Sequence, residues 1–361
     1  MRIIILGGGI AGQACSLVLR RNGLPVTIYE RAEAALTGGY GFLLMPNGVA
    51  ALQRLGCLQA MQQVGYRVEN LQLKAPRGDI IDTLPLENSY ILARSHLVGL
   101  LREAAGEVVT GMAFSHFEYD EQGNARAACF ANGDRVEGDV FIGADGIGSA
   151  VRRQLFPEHK PNPVRIKELV FQVHHVGLAK ELGPHLIKFQ TDEGGLGFGI
   201  APTSTGTIFC YLQFDVTRRS PDSDDPAGRE AFCREAVGHW ADPIPRLLDL
   251  INFRHCYLAR VTDMDMMPLW SRGNVTLTGD AAHPFVALTS QGVNAALEDA
   301  LVLGTCLINH RDGTNWDKDF TAFRKNREDA VRGYLEEGRK LTDNFLHPER
   351  FKGPLKIPAV K

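Results

Sequence analysis

The sequence predicts an α/β fold in which a doubly wound parallel sheet is interrupted by an antiparallel β-sheet region and followed by C-terminal helices. Three patterns predict it. The first 30 residues read as strand, glycine-rich turn, helix and strand, which is the βαβ unit that opens a doubly wound sheet. Residues 164–258 contain short strand-like runs between glycine, proline and aspartate turns, as in an antiparallel sheet. After residue 258 the α/β pattern returns.

Length and composition exclude several classes of protein. The chain has 361 residues, enough for about two domains, and its 44% hydrophobic and 22% charged residues exclude wholesale disorder. A formal net charge of −3 without a basic stripe argues against nucleic acid as a partner. No apolar run reaches the ~18 residues that a membrane-spanning helix requires. Seven scattered cysteines without a CxxC pair predict reduced thiols, no metal site and a cytoplasmic location.

The turn after the first strand carries a glycine fingerprint. GGGIAG matches G-x-G-x-x-G at Gly7, Gly9 and Gly12. Glycine at these three positions permits the tight turn, lets backbone approach a pyrophosphate and lets the helix pack closely on the strand. Ile10 and Ala11 begin the helix, whose free N–H groups would bind the phosphates.

An acidic residue completes the fingerprint. Glu30 ends the second predicted strand, VTIYE, and an acidic residue there can accept hydrogen bonds from a ribose diol. Arg31, next to it, is either a second contact to the cofactor or a solvated charge. Strand, glycines, helix and Glu30 together predict dinucleotide binding in a Rossmann-like domain, without distinguishing NAD from FAD.

The elements that follow are predicted from turn and cap residues. Residues 41–56 read as a strand and a helix, 66–92 as a β-hairpin, and a helix with Ser95 as N-cap follows Arg94. The next strands read as a β-meander over residues 107–119, 125–131 and 135–142. The strands of the middle region are predicted at residues 168–177, 185–191, 196–202 and 207–216. Residues 315–345 are helical in pattern, and the tail after them is predicted to be extended.

Two further motifs identify the cofactor by resemblance. GADGIGSAVR spans residues 143–152 and contains Asp145, and LTGDAAHP spans residues 277–284 and contains Gly279 and Asp280. In order, spacing and content, the three motifs resemble those of the FAD-dependent aromatic hydroxylases, the single-component flavoprotein monooxygenases typified by para-hydroxybenzoate hydroxylase. The resemblance extends from residue 1 to about residue 340.

The resemblance implies a Rossmann-like FAD-binding domain, an inserted antiparallel β-sheet substrate domain, and no separate NAD(P)H domain. No pattern suggests a covalent flavin link, so we expect non-covalent FAD. We expect the FAD-binding domain to be formed by residues 1–70, 91–165 and 258–310. The substrate domain would be formed by residues 71–90 and 166–257, and the C-terminal helices and tail by residues 311–361.

The resemblance also implies roles for single residues. Asp145 would lie near the pyrophosphate and affect NAD(P)H use, and Gly279 and Asp280 would place a carboxylate on the ribityl chain. Arg94, in the pattern R-x-x-L-x-x-x-L, would reach FAD, and Gly41 belongs to the loop GYGF that passes over the isoalloxazine. The alternatives are an Asp-Gly turn for Asp145, a helix N-cap for Asp280 and an arginine without a ligand for Arg94.

The helix after the third motif bears on mechanism. Gly292, Val293 and Asn294 open a helix whose N–H groups would point at the pyrimidine edge of the flavin and stabilise negative charge on the reduced ring. Where the family usually has a second proline and a glycine, this chain has Ala287 and Ser290. That loop flanks the place where oxygen adds to the flavin, so the departure leaves open a different flavin-dependent oxidation.

The sequence indicates substrate contacts less strongly. His174 and His175 are adjacent on a predicted strand, so only one of them can face a pocket, and His175 is the candidate base or hydrogen-bond donor. Tyr211 and Phe198 are candidate pocket residues. A solvent-facing histidine, an ordinary sheet tyrosine and a core phenylalanine are the alternatives, and no catalytic residue is assigned.

We therefore predict an FAD-dependent monooxygenase that hydroxylates a small aromatic or heteroaromatic substrate with NAD(P)H and O₂ through a hydroperoxide formed on the flavin. A flavin-dependent halogenase or a non-hydroxylating flavin oxidoreductase of the same fold is the first alternative. A plain NAD-dependent dehydrogenase and a non-enzymatic flavin-binding protein are the others.

Overall fold

The structure is a computed structural model of the chain and describes residues 1–33, 41–259, 261–309 and 316–351. The strands, in chain order, are β1 (Ile3–Leu6), β2 (Val26–Tyr29), β3 (Gly41–Leu44), β4 (Tyr66–Lys74), β5 (Ile80–Ala93), β6 (Val108–Val109), β7 (Phe114–Tyr119), β8 (Ala125–Phe130), β9 (Arg135–Glu137), β10 (Val140–Gly143), β11 (Ile166–His174), β12 (His185–Gln190), β13 (Leu196–Pro202), β14 (Thr207–Asp215), β15 (Tyr257–Ala259), β16 (Ser271–Arg272) and β17 (Val275–Leu277).

The helices are α1 (Ile10–Arg21), α2 (Pro46–Arg54), α3 (Leu58–Val64), α4 (Arg94–Ala105), α5 (Ala150–Leu155), α6 (Val176–Leu182), α7 (Pro226–Val237), α8 (Ile244–Leu250), α9 (Gly292–Asn309) and α10 (Trp316–Leu346). No helix in the described ranges is long and apolar enough to cross a membrane.

The first sheet is parallel except at one edge and has the strand order β16-β17-β10-β1-β2-β6. Its central strand β1 is the fully buried run Ile3–Leu6, which pairs in parallel with β10 on one side and β2 on the other. A continuous apolar strand is typical of a parallel sheet that is covered on both faces. Helix α1 packs against α4 and α9 beside this sheet, so the predicted α/β fold class is confirmed.

The second sheet is mainly antiparallel and has the order β15-β11-β14-β13-β12-β4-β5-β3. The predicted hairpin over residues 66–92 is confirmed by the antiparallel pairing of β4 with β5. On one face, the side chains of β11–β14 form an apolar core with α6, α7 and α8, three helices that the strand pattern of this region did not predict. The division into domains by residue range stays a prediction.

Two local predictions were wrong. The meander predicted from residue 107 to 142 is divided between sheets: β6 and β10 pair with β2 and β1, and β7, β8 and β9 form a small sheet of their own. The reason is that Gly111 and Gly138 interrupt the apolar runs and let the chain change sheet. Ser95 is not an N-cap, because β5 continues to Ala93 and α4 begins directly at Arg94 without a side-chain cap.

Close backbone packing joins the first two glycine motifs. Gly7 has φ +120°, and a Cβ added there would overlap the carbonyl oxygen of Ala144. A Cβ on Gly12 would likewise overlap the carbonyl oxygen of Gly7. Any side chain at either position would therefore push α1 away from β1, or β1 away from the end of β10.

A buried carboxylate joins the end of β17 to the last two helices. Oδ2 of Asp299, on α9, accepts a hydrogen bond from the N–H of Gly279 at 3.0 Å and lies 2.6 Å from Nε2 of His283. Oδ1 accepts from Nε of Arg327, on α10, at 2.7 Å. Burial alone would raise the pKa of Asp299, but the charges of His283 and Arg327 outweigh it and hold that pKa well below its usual range.

We predict that Asp299→Asn destabilises the protein by roughly 3–5 kcal/mol at neutral pH, because breaking a buried ion pair leaves Arg327 without its main counter-charge. Urea unfolding of the variant and the wild type measures this. Since the folded-state pKa of Asp299 is depressed, its contribution is present above the unfolded value of about 4 and is lost as the pH falls further, so the two proteins should converge in acid.

Glu230→Gln is the control for Asp299→Asn. It removes the exposed ion pair of Glu230 with Arg234 on α7, which has an N···O distance of 2.9 Å. Exposed pairs contribute about 0–1 kcal/mol, so this variant should be nearly unchanged. Equal destabilisation by both variants would contradict the importance of the buried cluster.

Candidate functional site

The three sequence motifs meet at one edge of the parallel sheet. The glycine fingerprint follows β1, Asp145 follows β10, and Gly279 with Asp280 follows β17, and these three strands are neighbours in the sheet. The carboxyl ends of such strands form the crevice in which doubly wound proteins bind ligands. Gly279 packs on α1, because a Cβ added there would lie 3.0 Å from Cβ of Ala11. The site is therefore assembled from segments that are far apart in sequence.

Glu30 holds the turn of the fingerprint. Its Oε2 accepts from the N–H of Gly8 at 2.7 Å and its Oε1 from the N–H of Ala32 at 2.9 Å. A carboxylate has about four acceptor positions, so both oxygens retain capacity for a ribose diol. Its role toward a ribose stays a prediction, and so does that of Arg31, which is exposed beside it.

A helix N-terminus and an arginine face the same open space. Helix α1 has Gly9 as its N-cap, with no side chain hydrogen-bonded to its first turn, and Ile10 and Ala11 are its first residues. Nη2 of Arg94 lies 3.8 Å from the position that a Cβ on Gly9 would occupy, and no other heavy atom is nearer to that position. Free N–H groups, the helix dipole and a guanidinium all favour an anion here. The residues present therefore fit a pyrophosphate.

Asp145 is engaged within the protein. Its Oδ1 accepts from Oγ of Ser149 at 2.5 Å, and its Oδ2 accepts from the N–H of Ala150 at 2.6 Å, so it closes the turn into α5. Arg152, on α5, is buried and donates to the carbonyls of Asp280 at 3.1 Å and Ala281 at 2.8 Å. Arg152 thus joins the second motif to the third, a function that the sequence analysis missed.

Three positive side chains act on the carboxylate of Asp280. It belongs to a 3-10 turn, Gly279–Ala281, and does not cap a helix. Its Oδ1 is 3.6 Å from the position of a Cβ on Gly292, the first residue of α9. Burial raises the pKa of Asp280, and the charges of Arg94, His283 and Arg152 oppose that rise. The carboxylate lines the cavity described below, so it is available to a hydroxylated chain such as the ribityl of a flavin.

The start of α9 faces the same cavity, but Asn294 does not. Gly292 and Val293 line the cavity. The side chain of Asn294 is fully buried and joins α9 to β3, because its Oδ1 accepts from the N–H of Met45 at 2.9 Å and its Nδ2 donates to the carbonyl of Leu43 at 3.2 Å. The contact predicted between Asn294 and a cofactor is therefore restricted to its backbone N–H.

The loop before α9 has one strained residue. Ala287–Thr289 form a 3-10 turn, and Ser290 follows in the left-handed conformation with φ +54°. Glycine adopts this conformation without steric cost, whereas serine is strained in it. Gly41, at the start of β3, lines the same cavity, whereas Gly39 and Tyr40 of the predicted GYGF loop lie outside the described residues.

A cavity of about 290 Å³ separates this loop and α9 from the second sheet. Ala201 of β13 lines it, and Gly197 and Gly199, on the same face of that strand, present no side chain. Because side chains alternate along a strand, Phe198 points to the opposite face, where it stacks on Phe171 with ring centroids 5.9 Å apart. The expectation that Phe198 lines a pocket is thus corrected: it is part of the core.

Of the other two candidate substrate residues, Tyr211 lies at the cavity and His175 does not. Tyr211 lines the cavity, its ring lies over Gly199, and burial raises the pKa of its hydroxyl. His175 is exposed and follows the end of β11, and its Nδ1 accepts from the N–H of Leu178 at 3.0 Å as the N-cap of α6. The structure does not bring His175 to the cavity, because the strand ends one residue before it.

The polar side chains of the cavity were not among the predicted site residues. Four of them are buried on strands of the second sheet: Glu168, Lys188, Gln190 and Gln213. Their signal was a charged or amide residue inside an otherwise apolar strand, as in LIKFQ. In the described ranges, no group of three or more His, Cys, Asp or Glu residues is arranged to hold a metal ion.

Comparison with known proteins finds similarity along nearly the whole chain. A family model described as FAD binding domain matches residues 1–337. Aurachin C monooxygenase/isomerase of Stigmatella aurantiaca is 29% identical over 327 residues, 85% of this chain and 80% of that protein. The FAD-dependent urate hydroxylase of Mycolicibacterium vanbaalenii is 26% identical over 358 residues, 95% of this chain and 88% of that one. The crystal structure of Klebsiella pneumoniae HpxO complexed with FAD and uric acid has a similar fold, with a TM-score of 0.85, 23% identity, and coverage of 95% of this chain and 88% of that chain.

We predict that Arg94→Ala weakens FAD binding roughly ten- to hundredfold, because it removes the guanidinium that faces Gly9 and with it a hydrogen bond to a charged group. Titration of the apoprotein with FAD, followed by flavin fluorescence, measures the dissociation constant. Arg102→Ala is the matched control, since Arg102 lies in the last turn of the same helix. Equal dissociation constants for the two variants would place the pyrophosphate elsewhere.

Proposed function

The chain belongs to the FAD binding domain family, whose model covers residues 1–337, and on that premise we propose that it is an NAD(P)H-dependent FAD monooxygenase. Its substrate would be a small aromatic or heteroaromatic compound, hydroxylated with one oxygen atom of O₂. The two relatives described above are named as a monooxygenase and a hydroxylase, which supports this assignment. We also propose a cytoplasmic location, consistent with cysteines that are all free.

The observation that carries the proposal is that one cavity contacts both the candidate flavin site and the β-sheet. Asp280, Gly292 and Val293 line one side, and Tyr211 and Gln213 line the other. A volume of about 290 Å³ suits a compound of one or two rings. A ring held there would lie beside the flavin and away from bulk water, as oxygen transfer without side reactions requires.

We assign the parts of the cofactor to the residues that fit them. The N-terminus of α1 and Arg94 would hold the pyrophosphate, Glu30 the ribose, and Asp280 the ribityl chain. The first N–H groups of α9, at Gly292 and Val293, would bind the pyrimidine edge of the flavin. When bound, FAD supplies the redox and oxygen chemistry, and the protein binds it, orients it and excludes water. Asp145 and Arg152 act through the loops that they hold together.

We predict that the protein purified with FAD consumes NADH or NADPH slowly alone and faster with its aromatic substrate. A panel of phenols and hydroxylated heteroaromatic compounds, assayed for NAD(P)H consumption under isotopically labelled O₂, measures this. The expected product carries one labelled oxygen atom by mass. Consumption of NAD(P)H without labelled product from any compound would replace the hydroxylase proposal with a non-hydroxylating flavin oxidoreductase.

We predict that Ala287→Pro combined with Ser290→Gly lowers the hydrogen peroxide released per NAD(P)H. Ser290 has φ +54°, which glycine accepts freely. Ala287 is the first residue of its 3-10 turn, and Val286 before it is extended with ψ 141°, as proline requires. Proline at residue 287 should order the loop beside the flavin, and glycine at residue 290 should remove the backbone strain at its end. Peroxide and hydroxylated product are quantified per NAD(P)H consumed, and Ser290→Gly alone separates the two effects. Unchanged or increased peroxide would show that the loop does not limit coupling.

A further inference from the structure

The buried polar residues of the cavity form two rows across the second sheet. In one row Glu168 of β11 pairs with Gln213 of β14, and Gln213 pairs with Gly197 of β13. In the next row Tyr211 of β14 is separated from Lys188 of β12 only by Gly199. Neighbouring strands lie about 4.8 Å apart. An acid, an amide, a phenol and an amine therefore face one cavity across four adjacent strands.

The glycines of β13 provide the space between these groups. The ring of Tyr211 occupies the position that a side chain on Gly199 would fill. Over Gly197, Cε of Lys188 lies 3.4 Å from the position of a Cβ, so the lysine side chain leans across β13 in the direction of Gln213. Its Nζ is 4.9 Å from the ring centroid of Phe345, on α10, and makes a cation–π contact with it.

Several polar atoms of this group lack partners in the described part of the chain. Oε1 of Gln213 is buried without a hydrogen bond, while its Nε2 donates to Oε1 of Glu168 at 2.5 Å. Lys188 has only 7% of its surface exposed and forms no hydrogen bond or ion pair with a described residue. Buried polar groups in folded proteins are nearly always satisfied. The cavity therefore presents an ammonium donor and two kinds of acceptor to whatever binds in it.

We propose that the substrate is an oxygen-bearing nitrogen heteroaromatic whose carbonyl or oxyanion accepts from Lys188 and whose ring N–H donates to Glu168 and Gln213. This inference rests on the proposed function, since it names the substrate class of the same cavity. An oxygen and an N–H on adjacent ring atoms match a cation beside an acceptor pair. A hydrocarbon ring would leave the Lys188 ammonium and Oε1 of Gln213 without partners, and this cost should make the cavity select against such a ring.

The ionisation of the two charged groups is consistent with this ligand. Burial lowers the pKa of Lys188 to about 8, and the charge of Glu168 opposes that change. Burial raises the pKa of Glu168, opposed by the hydrogen bond from Gln213 and by the charge of Lys188. A polarised oxygen would stabilise the ammonium form of Lys188, and an N–H would stabilise the carboxylate form of Glu168. A ligand carboxylate, in contrast, would pair with Lys188 but repel Glu168.

Three two-ring probes test the pattern on the FAD-loaded protein. These are 2-quinolone, with adjacent C=O and N–H; 1-methyl-2-quinolone, without the N–H; and 2-naphthoate, with a carboxylate. Dissociation constants are measured from the change in flavin absorbance. The wild type should bind 2-quinolone roughly ten- to hundredfold more tightly than either other probe, because each lacks or opposes one hydrogen bond to a charged group.

Lys188→Met and Glu168→Gln identify the groups responsible. Lys188→Met should lose roughly tenfold or more in 2-quinolone affinity. Its thermal midpoint should be equal to or above that of the wild type, because the variant no longer buries an unpaired ammonium. Glu168→Gln should reduce the penalty for N-methylation. Lys167→Met, next to Glu168 on β11 but on the other face, is the control and should leave all three affinities unchanged.

Each other outcome overturns the inference. Equal binding of the three probes, or tighter binding of 2-naphthoate, removes the donor–acceptor match. A lower thermal midpoint for Lys188→Met, with equal losses for all probes, assigns the lysine a purely structural role. Labelled-oxygen hydroxylation of any aromatic compound by the same wild-type preparation tests the proposed function separately. If 2-naphthoate is hydroxylated while 2-quinolone does not bind, the function stands and the substrate class is wrong.

Discussion

Asp299 is a carboxylate with no exposed surface that contacts three separate segments, and the geometry of the site depends on it. It binds the backbone after β17 through Gly279, the following loop through His283, and α10 through Arg327. A buried charge is tolerated only when cations and hydrogen bonds surround it. The positions of Asp280 and of the first turn of α9 are set by this cluster, since both lie on segments that it joins.

The parallel sheet and the second sheet contribute different chemical groups to the site. At the edge of the parallel sheet, backbone N–H groups, Arg94 and the dipole of α1 favour negative charge. Across the cavity, the wall is formed by side chains that stand on β11, β12 and β14 above a strand with two glycines, Gly197 and Gly199. One surface suits a charged, elongated cofactor, and the other suits a flat compound that needs few but well-placed polar contacts.

The parts of the site that could be read from the sequence are those with a local backbone requirement. Gly7 and Gly12 are needed where β1, α1 and β10 come into contact, and each lies in a short motif whose spacing reflects that geometry. The errors have a different origin. Phe198 and His175 do not reach the cavity, because strand alternation turns Phe198 to the opposite face and β11 ends at His174, one residue before His175. Lys188 and Glu168 belong to no sequence motif, because the order of the strands in the sheet, and not their spacing in the sequence, brings them to the same cavity.

The sequence by itself determined the α/β class, the family and the loops that meet at the edge of the parallel sheet, because these depend on periodicity and on glycines and carboxylates at fixed short spacings. Only the tertiary structure decided the cavity between that edge and the second sheet. Its buried polar side chains stand on β11, β12 and β14, and the loop before α9 lines it from the other side. Which side chains meet there is set by cross-strand register and by packing between segments that are distant in the sequence, and no local pattern in a sequence encodes either.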